Sequence, residues 1–403
     1  MLERPLKRNI AFVSTALPPS ASGQAKVLER LIRTRPDCIF WFLSDNLTTF
    51  TQRPGEGYGH YLRLSAPKPP RIGGELSGAI GAFNNRLGYQ RAVKDRAVEI
   101  EGLLRGSQGL AVVGCSGNPF DLAAAAIAAR KISAPFFAYL FDDPVFQWPQ
   151  GPLRNLAIQL EPAWSRQAKA VICPNEILAN EYAKRTGRPA VVVRNPIDDD
   201  AMLETAPAPR QASTGPVRIL YSGSVYHAQG DAFANLTQAM ARTPGRYRLD
   251  VYTSQPPEAL ANNGLHGPDV VRHDHVGGAE IAEIQRTSDI LFLPLAFNST
   301  IQDVLMSSSP GKMAEYLTSG RPVLVHAPAG SFVSEFFRKT GAGYVVDQPS
   351  VDELARGLQV LASDGDLCAR FAAAARSAAR EFSQAESRRR FWRLIDGVAE
   401  RTE

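Results

Sequence analysis

The sequence predicts an α/β protein of two doubly wound, parallel-sheet domains in tandem. Short β-branched and aromatic runs alternate with helical stretches along almost the whole chain. A Pro/Ala/Ser/Asp-rich interval, "IDDDAMLETAPAPRQASTGP", interrupts the alternation and has no apolar period. The alternation then restarts with "VRILYSGSV", a strand leading into a glycine-bearing loop. At 403 residues the chain is also too long for one hydrophobic core.

In the first domain (1–195), "IAFVST" is a strand followed by the turn-rich "ALPPSASGQAK" and the helical "VLERLI". "CIFWFLS", "LAVVGCS" and "PFFAYLFDD" repeat the strand theme, with "FDLAAAAIAARKI" as a helix between the last two. "KAVICPN" and "AVVVRNP" continue it. A linker is expected over 196–215. In the second domain (216–380), "YRLDVYTS", "DVVRHDHVGG", "DILFLPLA", "RPVLVHAP" and "AGYVVDQ" are strands, separated by helices such as "AEIAEIQRTS" and "PGKMAEYLTS". Residues 381–403 form a last amphipathic helix, expected to pack back towards the first domain. Ligands of such sheets bind at the carboxyl ends of the strands, here expected to face the cleft between the domains.

Composition narrows the function classes. The hydrophobic share of 44% suits a globular protein, and no apolar run is long enough to cross a membrane. "MLERPLKRNIAFV" is too polar for a signal peptide, so a cytoplasmic location is expected. Cys38, Cys115, Cys173 and Cys368 are far apart, lack metal spacing and read as buried thiols of a reduced compartment. The net charge of +5 favours phosphorylated substrates or an anionic membrane and is no nucleic-acid signature. The six histidines are scattered, and His273-x-His275 alone makes no metal site, so no metal and no cofactor is expected.

The most informative stretch is "SSSPGKMAEYLTSGRPVLV" (307–325). Ser309 fits an N-cap followed by Pro310 at the first helical position, and Gly320 fits the far end. Free amides and the positive end of the dipole make such an N-terminus an anion site, with Gly311 letting a phosphate approach and Lys312 adding a charge. Glu315 is placed to accept hydrogen bonds from vicinal sugar hydroxyls. The competing reading is a capped surface helix with a Lys312–Glu315 pair contributing about 0.2–0.5 kcal/mol.

The same stretch resembles the signature of GT-B glycosyltransferases of the family 4 type, in which two glutamates spaced E-x7-E bracket the donor site. "ILYSGSV", "HDHVGGAEIAEIQRTSDILFLP", "VVGCSGNPFDLAAAAIAARKISAPFFAYLFDD" and "AKAVICPNEILANEYAKRTGRPAVVVRNPID" extend the likeness over nearly the whole chain. The resemblance implies a GT-B architecture and a retaining glycosyltransferase. Its donor is a UDP- or GDP-type nucleotide sugar and its acceptor a saccharide or lipid-linked saccharide, in surface polysaccharide or glycoconjugate synthesis. It implies that Glu315 binds the donor ribose and that Ser309, Pro310 and Gly311 meet the diphosphate. Val276 and Gly277, ending their strand, would read the base, and Gly223 and Ser224 would lie beside the donor.

The chain departs from that pattern twice. The first glutamate position is Ser307, so its sugar contact is altered or supplied by Asp303. The loop "GSVYHAQGD" carries His227 and Gln229 where an arginine and a lysine are usual, so the diphosphate falls either to Lys312, assigned a catalytic role, with the helix dipole, or to a basic residue from the other domain. On the acceptor side the resemblance points to Ser22 and Gly23 of the first loop, while Asp142 and Asp143 end a strand expected to face the cleft, where a carboxylate is placed to contact the acceptor hydroxyl. Asp142 is the catalytic candidate, and a turn before Pro144 is the alternative. Two further functions stay open: a GT-B nucleotide-sugar epimerase, and a degenerate protein that binds nucleotide sugar without turnover. A nicotinamide enzyme is disfavoured because neither first strand leads into G-x-G-x-x-G. Finally, Arg86, Arg91, Lys94 and Arg96 in "RLGYQRAVKDRAVEIEGLLRG" have only Asp95 as a nearby acid, so this helix is either a basic face for an anionic membrane or a solvated surface.

Overall fold

The computed structural model describes residues 8–20, 22–33, 35–46, 59–67, 79–203 and 215–399. The chain divides into two compact units, Met1–Pro196 with Gln384–Glu403, and Ile197–Ser383. Most of the expected linker, 204–214, lies outside the described residues; what precedes it forms a short helix, Asp199–Leu203.

The first unit holds a seven-stranded parallel sheet. Its strands are β1 (Arg8–Val13), β2 (Cys38–Ser44), β3 (His60–Arg63), β4 (Leu110–Cys115), β5 (Phe136–Tyr139), β6 (Ala170–Cys173) and β7 (Val191–Val192), in the order β3-β2-β1-β4-β5-β6-β7. Ala11 and Val13 of β1 enter one core cluster, while Ile10 and Phe12 enter another on the opposite face. Burial on both faces explains why these strands read as continuous apolar runs. The helices include α1 (Gly23–Ile32), α2 (Ala79–Leu104), α3 (Asp121–Lys131), α4 (Pro152–Gln167) and α5 (Glu176–Thr186). β1 and β4 are neighbours with connections leaving in opposite directions, the switch point of the sheet. The loops after them touch: a Cβ at Gly117 would sit 2.6 Å from Thr15 Oγ1, so that approach requires glycine.

One charge expected on a surface is in the core. Arg96 of α2 is 3% exposed, because position 96 falls on the helix face that carries Ala92, Val93, Ala97 and Ile100. Its Nε lies 2.6 Å from Asp121 Oδ1 at the start of α3, and its Nη1 lies 3.2 Å from Asp45 Oδ2. Burial pushes the Asp121 carboxyl up to about 6 even with Arg96 beside it. Of the other three, Arg91 stands 3.8 Å from Asp95, Lys94 is exposed, and the Arg86 side chain lies outside the described ones.

The last helix, Gln384–Ala399, completes the first unit by capping α1. Gln384 Nε2 and Arg388 Nε donate to the Arg30 carbonyl at 3.1 and 2.6 Å, and Trp392 Nε1 donates to that of Leu31 at 2.9 Å. Spaced i, i+4, i+8, these side chains share one helix face and satisfy carbonyls that a helix C-terminus otherwise leaves orphaned.

The second unit holds a six-stranded parallel sheet. Its strands are β8 (Val217–Ser222), β9 (Tyr247–Tyr252), β10 (Val270–His273), β11 (Ile290–Pro294), β12 (Val323–His326) and β13 (Tyr344–Val346), in the order β10-β9-β8-β11-β12-β13. Here β8 and β11 form the switch point. Their following loops are stitched together: Ala296 N donates to Ala228 O at 2.8 Å, and the Asp231 carboxylate accepts the amides of Phe297 and Asn298.

Candidate functional site

At the carboxyl end of β8 the second unit brings together Gly223, Ser224 and Lys312. After Ser222 the chain turns at Gly223, whose φ of +123° is a conformation other residues rarely adopt. The Gly223 amide donates to the Tyr252 carbonyl at 2.9 Å. Ser224 is exposed, while the Val225 amide is held by Gln255 Oε1 at 3.3 Å. His227 is exposed, and Gln229 is buried with its Oε1 accepting the Tyr226 amide. Gln229 therefore braces the loop instead of offering a polar group to a ligand.

The helix of the signature runs Gly311–Thr318, one residue later than predicted. Pro310, at ψ 132°, occupies the cap position, and Ser309 lies outside the helix, 8% exposed. Gly320, at φ +75°, ends the segment as expected. Met313, Ala314, Tyr316 and Leu317 face the core, and the Tyr316 hydroxyl accepts the Ser222 amide at 3.1 Å. This bond ties the helix to the end of β8. Lys312 and Glu315, three residues apart, share the less buried face.

They do not pair with each other. Lys312 Nζ donates to Tyr221 Oη at 2.5 Å and lies 3.9 Å from the ring centroid. Its Cε and Nζ stand 3.1 Å from where a Cβ on Gly223 would be. The lysine of one motif thus lies over the glycine of the other. Burial pushes the Lys312 ammonium down to about 7, with Glu315 opposing that shift. The Glu315 carboxylate makes no hydrogen bond or ion pair among the described residues, which leaves all its acceptor capacity for a ligand. Tyr221 was not legible as a site residue: it continues the buried alternation of Val217 and Ile219, and its ring joins the core.

Upstream, Asp303 is exposed in the first turn of a five-residue helix, Gln302–Met306, and the buried Ser307 closes that helix. Val276 and Gly277 are expected to end a strand, but β10 stops at His273, which pairs with Tyr252, the last residue of the neighbouring β9. Val276 lies in the following loop and Gly277 precedes the helix Gly278–Thr287. His273 is engaged with Asp250, Nε2 to Oδ1 2.8 Å, and among the described residues no group of three or more His, Cys, Asp or Glu is close enough to hold a metal ion.

In the first unit the two aspartates after β5 separate. Asp143, 2% exposed, accepts the amides of Val145 and Phe146 and lies 3.0 Å from Arg185 Nη1. Its Oδ1 is thus engaged in the turn through Pro144 and its Oδ2 in the ion pair. The Asp142 carboxylate, part-buried, makes no hydrogen bond or ion pair among the described residues, and burial together with Asp143 pushes it up to about 6. Ser22 caps α1 by accepting the Ala25 amide at 3.2 Å, and Gly23 is exposed with open space about it.

Comparison with known proteins bears on this geometry. A glycosyltransferase from Rickettsia africae ESF-5 superposes with a TM-score of 0.67 at 15% identity, covering 97% of this chain and 98% of that one. Anabaena Alr3699/HepE in complex with UDP gives 0.64 at 13% identity, with 97% and 100% covered. The lipopolysaccharide outer core galactosyltransferase WaaB, in its apo form, gives 0.63 at 14%, with 97% and 99% covered. The fold is GT-B. Residues 216–364, most of the second unit, match the family model described as glycosyl transferases group 1. No curated protein sequence matches the chain. In this GT-B chain the family match coincides with the unit that carries Gly223, Lys312 and Glu315.

Proposed function

We propose that this protein is a retaining glycosyltransferase that moves a sugar from a UDP- or GDP-linked donor to a saccharide or lipid-linked acceptor in surface polysaccharide or glycoconjugate synthesis. The observation that carries the reading is the meeting of Gly223, Lys312 and an uncommitted Glu315 at the switch point of the second sheet. The matched family and the solved GT-B structures with UDP, or with UDP-glucose, support it. In this reading Gly223, Ser224 and Gly311 admit the diphosphate against backbone, and Lys312 offsets the charge that grows on it as the glycosidic bond breaks. Glu315 accepts the ribose hydroxyls. Retention follows when an oxygen of the departing diphosphate takes the acceptor proton on the face it leaves. Asp303 and Ser307 stand in for the sugar contact of the absent first glutamate.

The deciding experiment is release of UDP or GDP from a nucleotide sugar, with and without acceptor. Release with transfer supports the reading. Affinity without release makes the protein a nucleotide-sugar binder, and conversion of the sugar while still nucleotide-linked makes it an epimerase.

Asp142 is proposed to contact the acceptor hydroxyl. Its carboxyl sits near 6, so it ionises as pH rises through that value, and turnover is expected to rise with it. Asp142→Asn is expected to lower kcat about 10²-fold or more and to flatten the acid limb of the pH profile. An unchanged profile would return Asp142 to a structural role.

The reading places the enzyme in the cytoplasm with peripheral contact to an anionic leaflet. The exposed face of α2 combines Arg91 and Lys94 with Leu87, 50% exposed, and Val98, 57% exposed, at helical spacing. Salt-sensitive binding to anionic vesicles that falls when Arg91 and Lys94 become glutamine is the expected result. Binding indifferent to lipid charge would leave a soluble acceptor.

A further inference from the structure

We propose that Arg185 is a positioning residue for the transfer reaction: by gripping Asp143 it fixes the turn that presents the Asp142 carboxylate to the acceptor. The inference rests on the reading above, in which Asp142 contacts the acceptor hydroxyl, and deepens it.

The geometry begins at Asp142, which follows β5 at the carboxyl edge of the first sheet, the edge where ligands of such sheets bind. Its backbone is held on both sides. Before it, Ser116 Oγ, just past the end of the neighbouring β4, accepts the Phe141 amide at 2.9 Å and the Asp142 amide at 3.4 Å. After it, Asp143 Oδ1 accepts the amides of Val145 and Phe146 at 2.8 and 2.9 Å, and the Asp143 carbonyl accepts that of Gln147 at 3.1 Å. The polar groups that flank Asp142 are spent on fixing the turn. Its own carboxylate makes no hydrogen bond or ion pair among the described residues.

Arg185, in the last turn of α5, locks this arrangement from outside the turn. Its Nη1 lies 3.0 Å from Asp143 Oδ2, and its Nη2 donates to Asp143 Oδ1 at 3.3 Å. The same guanidinium grips Glu161 of α4, Nε to Oε2 at 2.7 Å and Nη2 to Oε1 at 2.8 Å. Both acids are buried, at 2% and 4% exposure. The Phe146 ring of the turn is flanked by two guanidinium groups, with Arg185 Cζ 5.0 Å and Arg154 Cζ 4.4 Å from its centroid.

A staple between α4 and α5 needs only the Glu161 contact. The second fork reaches past it to the residue beside Asp142, and a planar guanidinium is the side chain that serves two carboxylates at once. A lysine at 185 keeps the charge that the buried acids require, yet its single ammonium cannot hold both forks. With that grip lost the turn loosens, and a misplacement of about 1 Å at a reacting group costs up to about 10²-fold in rate.

Nucleotide release by the full chain tests this, with a panel of UDP- and GDP-sugars as donors and water or a glucoside as acceptor. The variants are Arg185→Lys, Asp142→Asn and the two combined. Arg185→Lys is expected to lower kcat about 10- to 100-fold and to leave UDP affinity by calorimetry unchanged, because the donor site lies on the second unit. In the Asp142→Asn background the same substitution is expected to change kcat by less than about twofold, since a residue that acts through Asp142 has nothing left to position. Asp143→Asn, which keeps an oxygen for the turn amides and loses the ion pair, is the second variant should Arg185→Lys fail to fold, and the same pattern is expected of it. A loss as large in the Asp142→Asn background as in the native one would make Arg185 a merely structural residue and overturn the inference. So would undiminished turnover in Arg185→Lys, or a parallel fall in UDP affinity. Undiminished turnover in Asp142→Asn would remove the acceptor contact and this inference with it, and would leave the donor site standing. No release from any member of the panel by the native protein would overturn the transferase reading itself.

Discussion

Glu315→Gln is expected to weaken nucleotide-sugar binding by about 1.5–3 kcal/mol, roughly 10- to 150-fold in Kd, with the fold intact. The magnitude is that of hydrogen bonds to a charged acceptor. The fold survives because the Glu315 carboxylate supports nothing else: it makes no hydrogen bond or ion pair among the described residues. Glutamine keeps the length and one acceptor oxygen, so what is lost is the second charged oxygen facing a ribose diol. Calorimetry with donor, beside an unchanged thermal transition, checks both halves. Equal donor affinity in the two proteins would remove the ribose assignment.

Arg96→Ala has the larger cost, expected at about 3–5 kcal/mol in the stability of the first unit. The substitution leaves Asp121, 0% exposed, without the guanidinium beside it, while the Asn118 side-chain amide, 2.8 Å from Oδ2, remains as its partner. A buried carboxylate stripped of its cation is the costly outcome. Replacing both members by apolar residues, Arg96→Met with Asp121→Leu, is expected to recover most of the loss. Urea unfolding followed on the first unit's transition measures it. A cost within about 0.5 kcal/mol, the usual range for a surface position, would return Arg96 to a solvated basic face.

These two residues also show what the sequence conveys and what it withholds. Alternating strands and helices, the turn at Gly223 and the helix after Pro310 are legible because each is a local pattern of polarity, glycine or proline. Arg96 is not. Within its own helix it reads as one of a run of charges, and its partners lie 25 and 51 positions away. The ion pair of Asp143 is hidden for the same reason, since Arg185 is 42 positions distant. The end of β10 is set by where β9 stops, which no periodicity in "DVVRHDHVGG" records. Tyr221 is the sharpest case. Its ring belongs to the core and its hydroxyl to the site, so apolar alternation accounted for it completely and hid its second role. Local signals located the candidate site, and long-range contacts decided which of its charges are available to a ligand.

A nucleoside diphosphate is proposed to bind the second unit at Gly223, Lys312 and Glu315. Thermal unfolding of the full chain across UDP, GDP and their sugar derivatives, with the free nucleosides as controls, tests it most directly. The expected result is a concentration-dependent rise with a diphosphate, on the order of 2.7 kcal/mol when the ligand is a hundredfold above its Kd. Nucleosides should give far less, and Glu315→Gln should need correspondingly more ligand for the same rise. No stabilisation by any diphosphate at millimolar concentration would contradict the account.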